Sequence, residues 1–305
     1  MRGRFAPSPT GDLHAGNLRT ALLARISSAA AAGTFVIRME DLDPVTSSRA
    51  HELRQLDDLA ALGITSDVAV IRQSERFDRY RVAIRDLDAR GLVYPCFCTR
   101  REIREAAAAP HDGPAPDGAY PGTCRDLSEH DRQRHADAGR RAALRLRTNG
   151  ESYTFDDRIA GTFTGSVDDV VLQRNDGTPA YNLAVVIDDD AQGITDVVRG
   201  DDLLTSTPRQ LHLQRLLGLA SPTYAHVPLV IGPDGQRLAK RHGAVTLGDW
   251  HARGRSTGEL VGLLAHSIGC SPVPASPDLR AADVVDSFSW SAVPRTPWTW
   301  PDPLG

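Results

Sequence analysis

The chain has 305 residues, 41% of them hydrophobic and 24% charged, enough to bury a sizeable core as one large domain or two modest ones. Its net charge of −4 and pI of about 6.2 give the surface as a whole no attraction for polyanions, so any nucleic-acid contact has to come from a local patch. No apolar run reaches the roughly 18 residues of a membrane span, and Met1-Arg2-Gly3-Arg4 leads directly into strand-like sequence; no membrane partner and no secretory signal are expected, and the expected location is the cytoplasm.

Residues 2–6 and 34–39 read as short buried strands separated by a helical run from about Leu18 to Ala32. This is a βαβ unit, which favours a parallel sheet. Residues 91–180 hold three of the four cysteines, a Pro/Gly-rich loop at 110–122 and several strand-like runs, and read as an inserted subdomain. Ala184-Val185-Val186-Ile187 and Ile194 to Val198 then read as strands, and Ser206 to Leu217 as a helix opened by a capping Ser or Thr with Pro in its first turn. After Cys270 the chain turns to Pro, Trp and Ser, an irregular piece expected to pack back on the core. The expected architecture is α/β, a Rossmann-like parallel sheet in two halves (1–90 and 181–250), an inserted α+β subdomain (91–180) and a short C-terminal segment (251–305).

The first strand runs into Ala6-Pro7-Ser8-Pro9-Thr10-Gly11-Asp12-Leu13-His14-Ala15-Gly16-Asn17. Two prolines stiffen this turn, Gly11 and Gly16 permit close backbone approach, and the following helix start is expected to offer free N–H groups and a positive dipole end to phosphates, with His14 and Asn17 projecting donors there. The glycine spacing matches neither a dinucleotide fingerprint nor a Walker loop, and His14 taken alone reads more readily as an ordinary loop histidine. Further on, Pro233-Asp234-Gly235 turns into a basic loop carrying Lys240, the single lysine among 35 basic residues. Arginine stands wherever charge alone suffices, so a lone lysine points to a position that needs a compact, mobile ammonium. Cys96-Phe97-Cys98 and Tyr120-Pro121-Gly122-Thr123-Cys124 bring three thiols close in sequence, a pattern that reads as a zinc site or as free buried thiols.

Arg4 to Asn17 together with Arg38-Met39-Glu40-Asp41-Leu42-Asp43 is similar to the start of class I glutamyl-tRNA synthetases, and Arg237-Leu238-Ala239-Lys240-Arg241 resembles their KMSKS signature. The resemblance runs in order from residue 2 to about 250. The HIGH-type signature reads His-Ala-Gly-Asn here, and the KMSKS-type signature keeps only its second lysine, with arginine first and alanine in place of serine. The resemblance implies an aminoacyl-tRNA synthetase fold and attack of the glutamate α-carboxylate on the α-phosphorus of ATP. It implies catalytic roles for His14, Asn17 and Lys240, with ATP held by His14, Gly16, Asn17 and Lys240 and accompanied by Mg²⁺. Glutamate is expected on Arg4, Ala6, Ser8, Glu40, Tyr181 and Arg199; two cations and one anion match a ligand with two carboxylates and one ammonium.

The cysteine pattern is similar to that of the glutamyl-Q branch of the family, which makes Cys96, Cys98, Cys124 and Tyr120 the expected zinc ligands, with His111 in the same loop as the alternative fourth. About 64 residues follow Arg241, short of an anticodon-binding region. The same branch implies a queuosine-containing tRNA(Asp) as partner beside ATP and L-glutamate, a monomer, and an inserted subdomain presenting Arg100, Arg101, Arg104, Arg140, Arg141, Arg145 and Arg147 to the anticodon arm. Two readings stand beside it: a truncated glutamyl-tRNA synthetase that charges the tRNA 3′ end, and a catalytically decayed RNA-binding module.

Overall fold

The computed structural model describes residues 1–99, 101–103, 119–238, 246–270 and 276–301. In chain order the first half contains strand β1 (Arg2–Phe5), helix α1 (Ala15–Ala30), strand β2 (Thr34–Met39), helix α2 (Arg49–Ala61), strand β3 (Ile71–Arg72) and helix α3 (Phe77–Ala89). Strand β4 (Val93–Cys96), helix α4 (Glu129–Asp137) and strands β5 (Ala143–Leu146), β6 (Ser152–Asp157), β7 (Gly161–Ser166) and β8 (Val171–Gln173) follow. The remainder holds helix α5 (Tyr181–Ala191), strand β9 (Asp196–Gly200), helix α6 (Thr207–Leu217), strands β10 (Thr223–Val227) and β11 (Val230–Ile231), helices α7 (Leu247–Ala252) and α8 (Thr257–Ser267), and strand β12 (Trp298–Thr299).

Parallel pairing of β1 with β2 sets Arg2 opposite Thr34 and Phe5 opposite Ile37, with α1 as the crossover. Phe35-Val36-Ile37 is buried without interruption, the signature of a strand covered on both faces. Helix α1 buries Leu18, Leu22, Leu23 and Ile26 between the sheet and α8. It comes close because residue 3 is glycine: a Cβ there would lie 2.2 Å from the Ser28 hydroxyl. The helix stops at Ala30, short of the expected Ala32, because Ala32 takes a left-handed φ of 48° to turn the chain into β2.

The main sheet runs β3-β2-β1-β9-β10-β6-β7, so the second half of the chain adds its strands beside β1. Segment 91–180 is divided. Its β4, β5 and β8 make a separate antiparallel sheet, while the β6–β7 hairpin joins the edge of the main sheet where Asp157 pairs with Tyr224. Residues 184–187, expected as a strand, lie instead in α5. Their β-branched side chains favour a strand, but a helix buries Leu183, Ala184, Val185 and Val186 and turns Asp188 and Asp189 into the interior, where both find partners. Helix α6 opens as expected with Pro208 in its first turn, but Ser206 makes no side-chain cap, because the preceding 3₁₀ turn (Asp201–Ser206) runs directly into the helix. The segment after Cys270 packs back on the core: β12 pairs in parallel with β11, and Trp300, 2% exposed, meets Trp250 with rings 6.2 Å apart.

Candidate active site

A cleft of about 550 Å³ opens where β1, β9 and the start of α1 meet, and Arg4, Ala6, Ser8, His14, Gly16, Asn17, Glu40, Tyr181 and Arg199 all line it. The residues expected on ATP and glutamate that lie within the described segments therefore converge on one place. Lys240 lies outside the described residues, as do Arg100, Arg104, His111 and Arg241.

The His14 imidazole caps α1. Its Nδ1 accepts from the backbone N–H of Gly16 at 3.0 Å and of Asn17 at 3.3 Å, while Asn17 Oδ1 accepts from the His14 N–H at 3.2 Å. Two of the N–H groups expected to be free for phosphate are thus already used. Because both partners of Nδ1 are donors, the proton sits on Nε2 and the neutral ring keeps one N–H to offer. Burial, and next the charge of Arg237, holds His14 below the ordinary histidine range. Gly16 is required beside that ring, since a Cβ there would lie 2.9 Å from it. Across the cleft Arg237 pairs with Asp202 at 2.9 Å.

The inner wall is a buried charge network that joins residues distant in sequence. Asp189 on α5 takes Arg38 Nη1 at 2.8 Å and Arg4 Nε at 3.4 Å, and Glu40 takes Arg38 Nη2 at 3.1 Å. Burial opposes the charge on Asp189, but the two guanidiniums hold its carboxyl below the usual range; burial dominates at Glu40 and raises it. Arg4 and Arg38 are thereby balanced by two carboxylates. Arg199 is not: its Nε donates to His226 Nε2 at 3.0 Å, Nη1 to Gln210 Oε1 at 2.8 Å and Nη2 to Thr207 Oγ1 at 2.8 Å, all neutral acceptors. Each terminal nitrogen keeps a second N–H, a fork suited to a carboxylate. Asp189, Asp157, His226, Thr207 and Gln210 carry no local sequence signal and were not among the expected site residues.

The second constellation lies at the end of β4. Tyr120 Oη is 3.3 Å from Cys96 Sγ and 3.6 Å from Cys98 Sγ, Cys98 and Cys124 sulfurs are 3.4 Å apart, and the three sulfurs all lie within 4.8 Å of one another. Tetrahedral bonds of ~2.3 Å place sulfur ligands about 3.8 Å apart, so this set can close on a metal ion with little movement. The hydrogen bond with Cys96 draws the Cys124 thiol down to about 6, while the same bond and burial push Cys96 up to about 12. Arg145, expected on a basic surface, is instead 6% exposed and lies 3.6 Å above the Tyr120 ring. Arg140 is tied to Glu102 and Arg147 to Asp126, so much of that charge is locally balanced.

A parallel sheet, a capped helix start at its carboxyl edge and a buried cation network beside it define a class of enzyme that binds a nucleotide and an acidic small molecule side by side. The family described as tRNA synthetases class I (E and Q), catalytic domain, matches residues 1–298. The chain belongs to this family and is a ligase of the class I tRNA synthetase type. It is 53% identical over 300 residues to a glutamyl-Q tRNA(Asp) synthetase of Nocardia farcinica, covering 98% of this chain and 93% of that protein. It is 43% identical over 307 residues to one of Symbiobacterium thermophilum, covering 97% and 94%. Among solved structures it resembles a glutamate-tRNA synthetase of Elizabethkingia anophelis, with a TM-score of 0.82 and 27% identity over 99% of this chain and 68% of the other.

Proposed function

We propose that this chain activates L-glutamate with ATP and transfers it to queuosine in the anticodon loop of tRNA(Asp). The observation that carries the reading is Arg199, a buried guanidinium with two N–H groups to spare and no carboxylate against it among the described residues, in a cleft shared with the His14 helix start. A ligand of net charge −1 bearing two carboxylates and an ammonium suits that wall, with Arg4 and Arg199 as cations and Glu40 as the anion. Tyr181, Ala6 and Ser8 supply the remaining contacts, and near-full-length similarity to proteins named glutamyl-Q tRNA(Asp) synthetase supports queuosine as the acceptor.

In the first step a glutamate α-carboxylate oxygen bonds to the α-phosphorus of ATP and the bond to the pyrophosphate oxygen breaks. The protein's part is positioning and charge stabilisation. His14 Nε2–H and the Asn17 side-chain amide hold phosphate oxygens and Gly16 leaves room for their close approach; Lys240 neutralises the departing pyrophosphate, and Mg²⁺ accompanies ATP. In the second step a queuosine hydroxyl attacks the activated carbonyl and AMP leaves. Zinc on Cys96, Cys98, Cys124 and Tyr120 would tie the 119–124 loop to β4 as a structural ion. ATP, L-glutamate and tRNA meet in the cytoplasm, which supports a cytoplasmic reaction.

Label transfer tests the assignment. Queuosine-containing tRNA(Asp) incubated with ATP and labelled glutamate, then digested under mildly acidic conditions, is expected to yield label on the queuosine nucleoside. Label on the terminal adenosine would instead establish charging of the 3′ end, the reading favoured by the likeness to glutamate-tRNA synthetase structures.

A further inference from the structure

Behind Arg199 a chain of buried polar groups runs away from the cleft. His226, 1% exposed, accepts the Arg199 Nε–H on its Nε2, and its Nδ1 lies 2.6 Å from Asp157 Oδ2. We propose that Asp157 and His226 are positioning residues, which fix the Arg199 guanidinium for a substrate carboxylate by holding the His226 imidazole in a single tautomer. The proposal rests on the role given to Arg199 above.

Asp157 is itself immobilised. Its Oδ1 accepts from the backbone N–H of Ile159 at 2.9 Å and of Ala160 at 2.8 Å, and both oxygens lie within 3.1 Å of the His226 N–H. A carboxylate held by that many donors can only accept, so the Nδ1 of His226 carries the proton and Nε2 presents its lone pair to Arg199. These hydrogen bonds overcome burial and hold Asp157 at about 2, while burial keeps His226 below the ordinary histidine range and so neutral. The opposite tautomer, or a charged ring, would set an N–H against the Arg199 N–H.

The remaining contacts fix the same orientation. Tyr224 stacks on His226 with centroids 5.9 Å apart and lies 5.4 Å beneath the Arg199 guanidinium, and Gln210 is held by Asn182 at 3.0 Å. The chain crosses β6, β10 and β9, the place where the hairpin from segment 91–180 joins the main sheet. Arg199 thus takes its aim from a residue 42 positions earlier in the sequence.

Asp157→Asn tests this with almost no change of shape. Its Oδ1 position must stay an acceptor for Ile159 and Ala160, so the new amide N–H faces His226 Nδ1 and reverses the tautomer. In glutamate-dependent ATP–pyrophosphate exchange the KM for glutamate is expected to rise about tenfold or more while the KM for ATP stays within about twofold. Adding His226→Gln, whose amide oxygen can accept from Arg199 whatever stands at 157, is expected to recover much of the loss. An Asp157→Asn protein with an unaltered glutamate KM, or a double variant no better than the single one, overturns the proposal. Should Asp157→Asn not fold, His226→Leu against His226→Gln decides: a higher glutamate KM for Leu supports the proposal, and equal values overturn it. Absence of glutamate-dependent exchange in the unaltered protein would refute the functional reading instead.

Discussion

His14 lies at the start of α1, where its imidazole caps the helix. Its position beside a helix start suggests a phosphate donor, yet the ring's first duty is to cap that helix, and only Nε2–H remains for a ligand. The cysteines drew attention by their own spacing, whereas His14, Glu40 and Arg199 were expected at the site only through the resemblance to the synthetases. Asp189, Asp157 and His226 were not expected, because a buried carboxylate or imidazole acquires its role only from partners brought in by the fold, such as Arg4 and Arg38 for Asp189. Asp58 on α2 gives a measurable case away from the site. Burial, with Asp12 and Asp57 adding like charge, pushes its carboxyl up to about 6. A folded-state carboxyl pKa above the unfolded value costs stability progressively as pH rises from the unfolded value to the folded one, so the penalty is full at pH ~8 and absent only near pH ~3. Asp58→Asn is therefore expected to raise unfolding stability by about 1 kcal/mol at the higher pH, allowing for solvent screening at this half-exposed group, and by nothing near the lower; denaturant unfolding at both values checks this.

Among elements, β1-α1-β2 was readable because Phe35-Val36-Ile37 is a buried apolar run in β2 and the preceding helix repeats Leu18, Leu22, Leu23 and Ile26 at helical spacing. Helix α5 was not: Val185-Val186-Ile187 carries a strand propensity that tertiary burial overrides, and the decisive contacts come from Asp188 to Gln73, Arg76 and Tyr80 on the α3 side. Nor could the pairing of β6 with β10 be read, since nothing local in either strand names a partner so far along the chain. The exit from α1 offers an element-level test. Ala32 holds a left-handed backbone that costs a residue with a Cβ about 1 kcal/mol, and glycine adopts it freely. Ala32→Gly is expected to raise the thermal midpoint by about one degree once the greater freedom glycine gives the unfolded chain is set against that gain; a midpoint at or below that of the parent would contradict it.

At the scale of the whole molecule, the β6–β7 hairpin fastens segment 91–180 to the main sheet, while the Cys96, Cys98 and Cys124 cluster draws the loop before Cys124 onto the tip of β4. Purified protein is expected to carry about one zinc per chain, and Cys124→Ser to lose it and to unfold at a lower temperature, as elemental analysis and calorimetry can show. The other long-range closure, β11 with β12, carries a consequence for biosynthesis. Because β12 leaves the ribosome long after β11, the nascent chain exposes an unpaired strand edge and the Trp250 face until Trp298 to Trp300 emerge. Completion of the catalytic half thus waits on a segment synthesised well after β11, and a chain stopped between the two strands would display the sticky surface by which proteases recognise unfinished work.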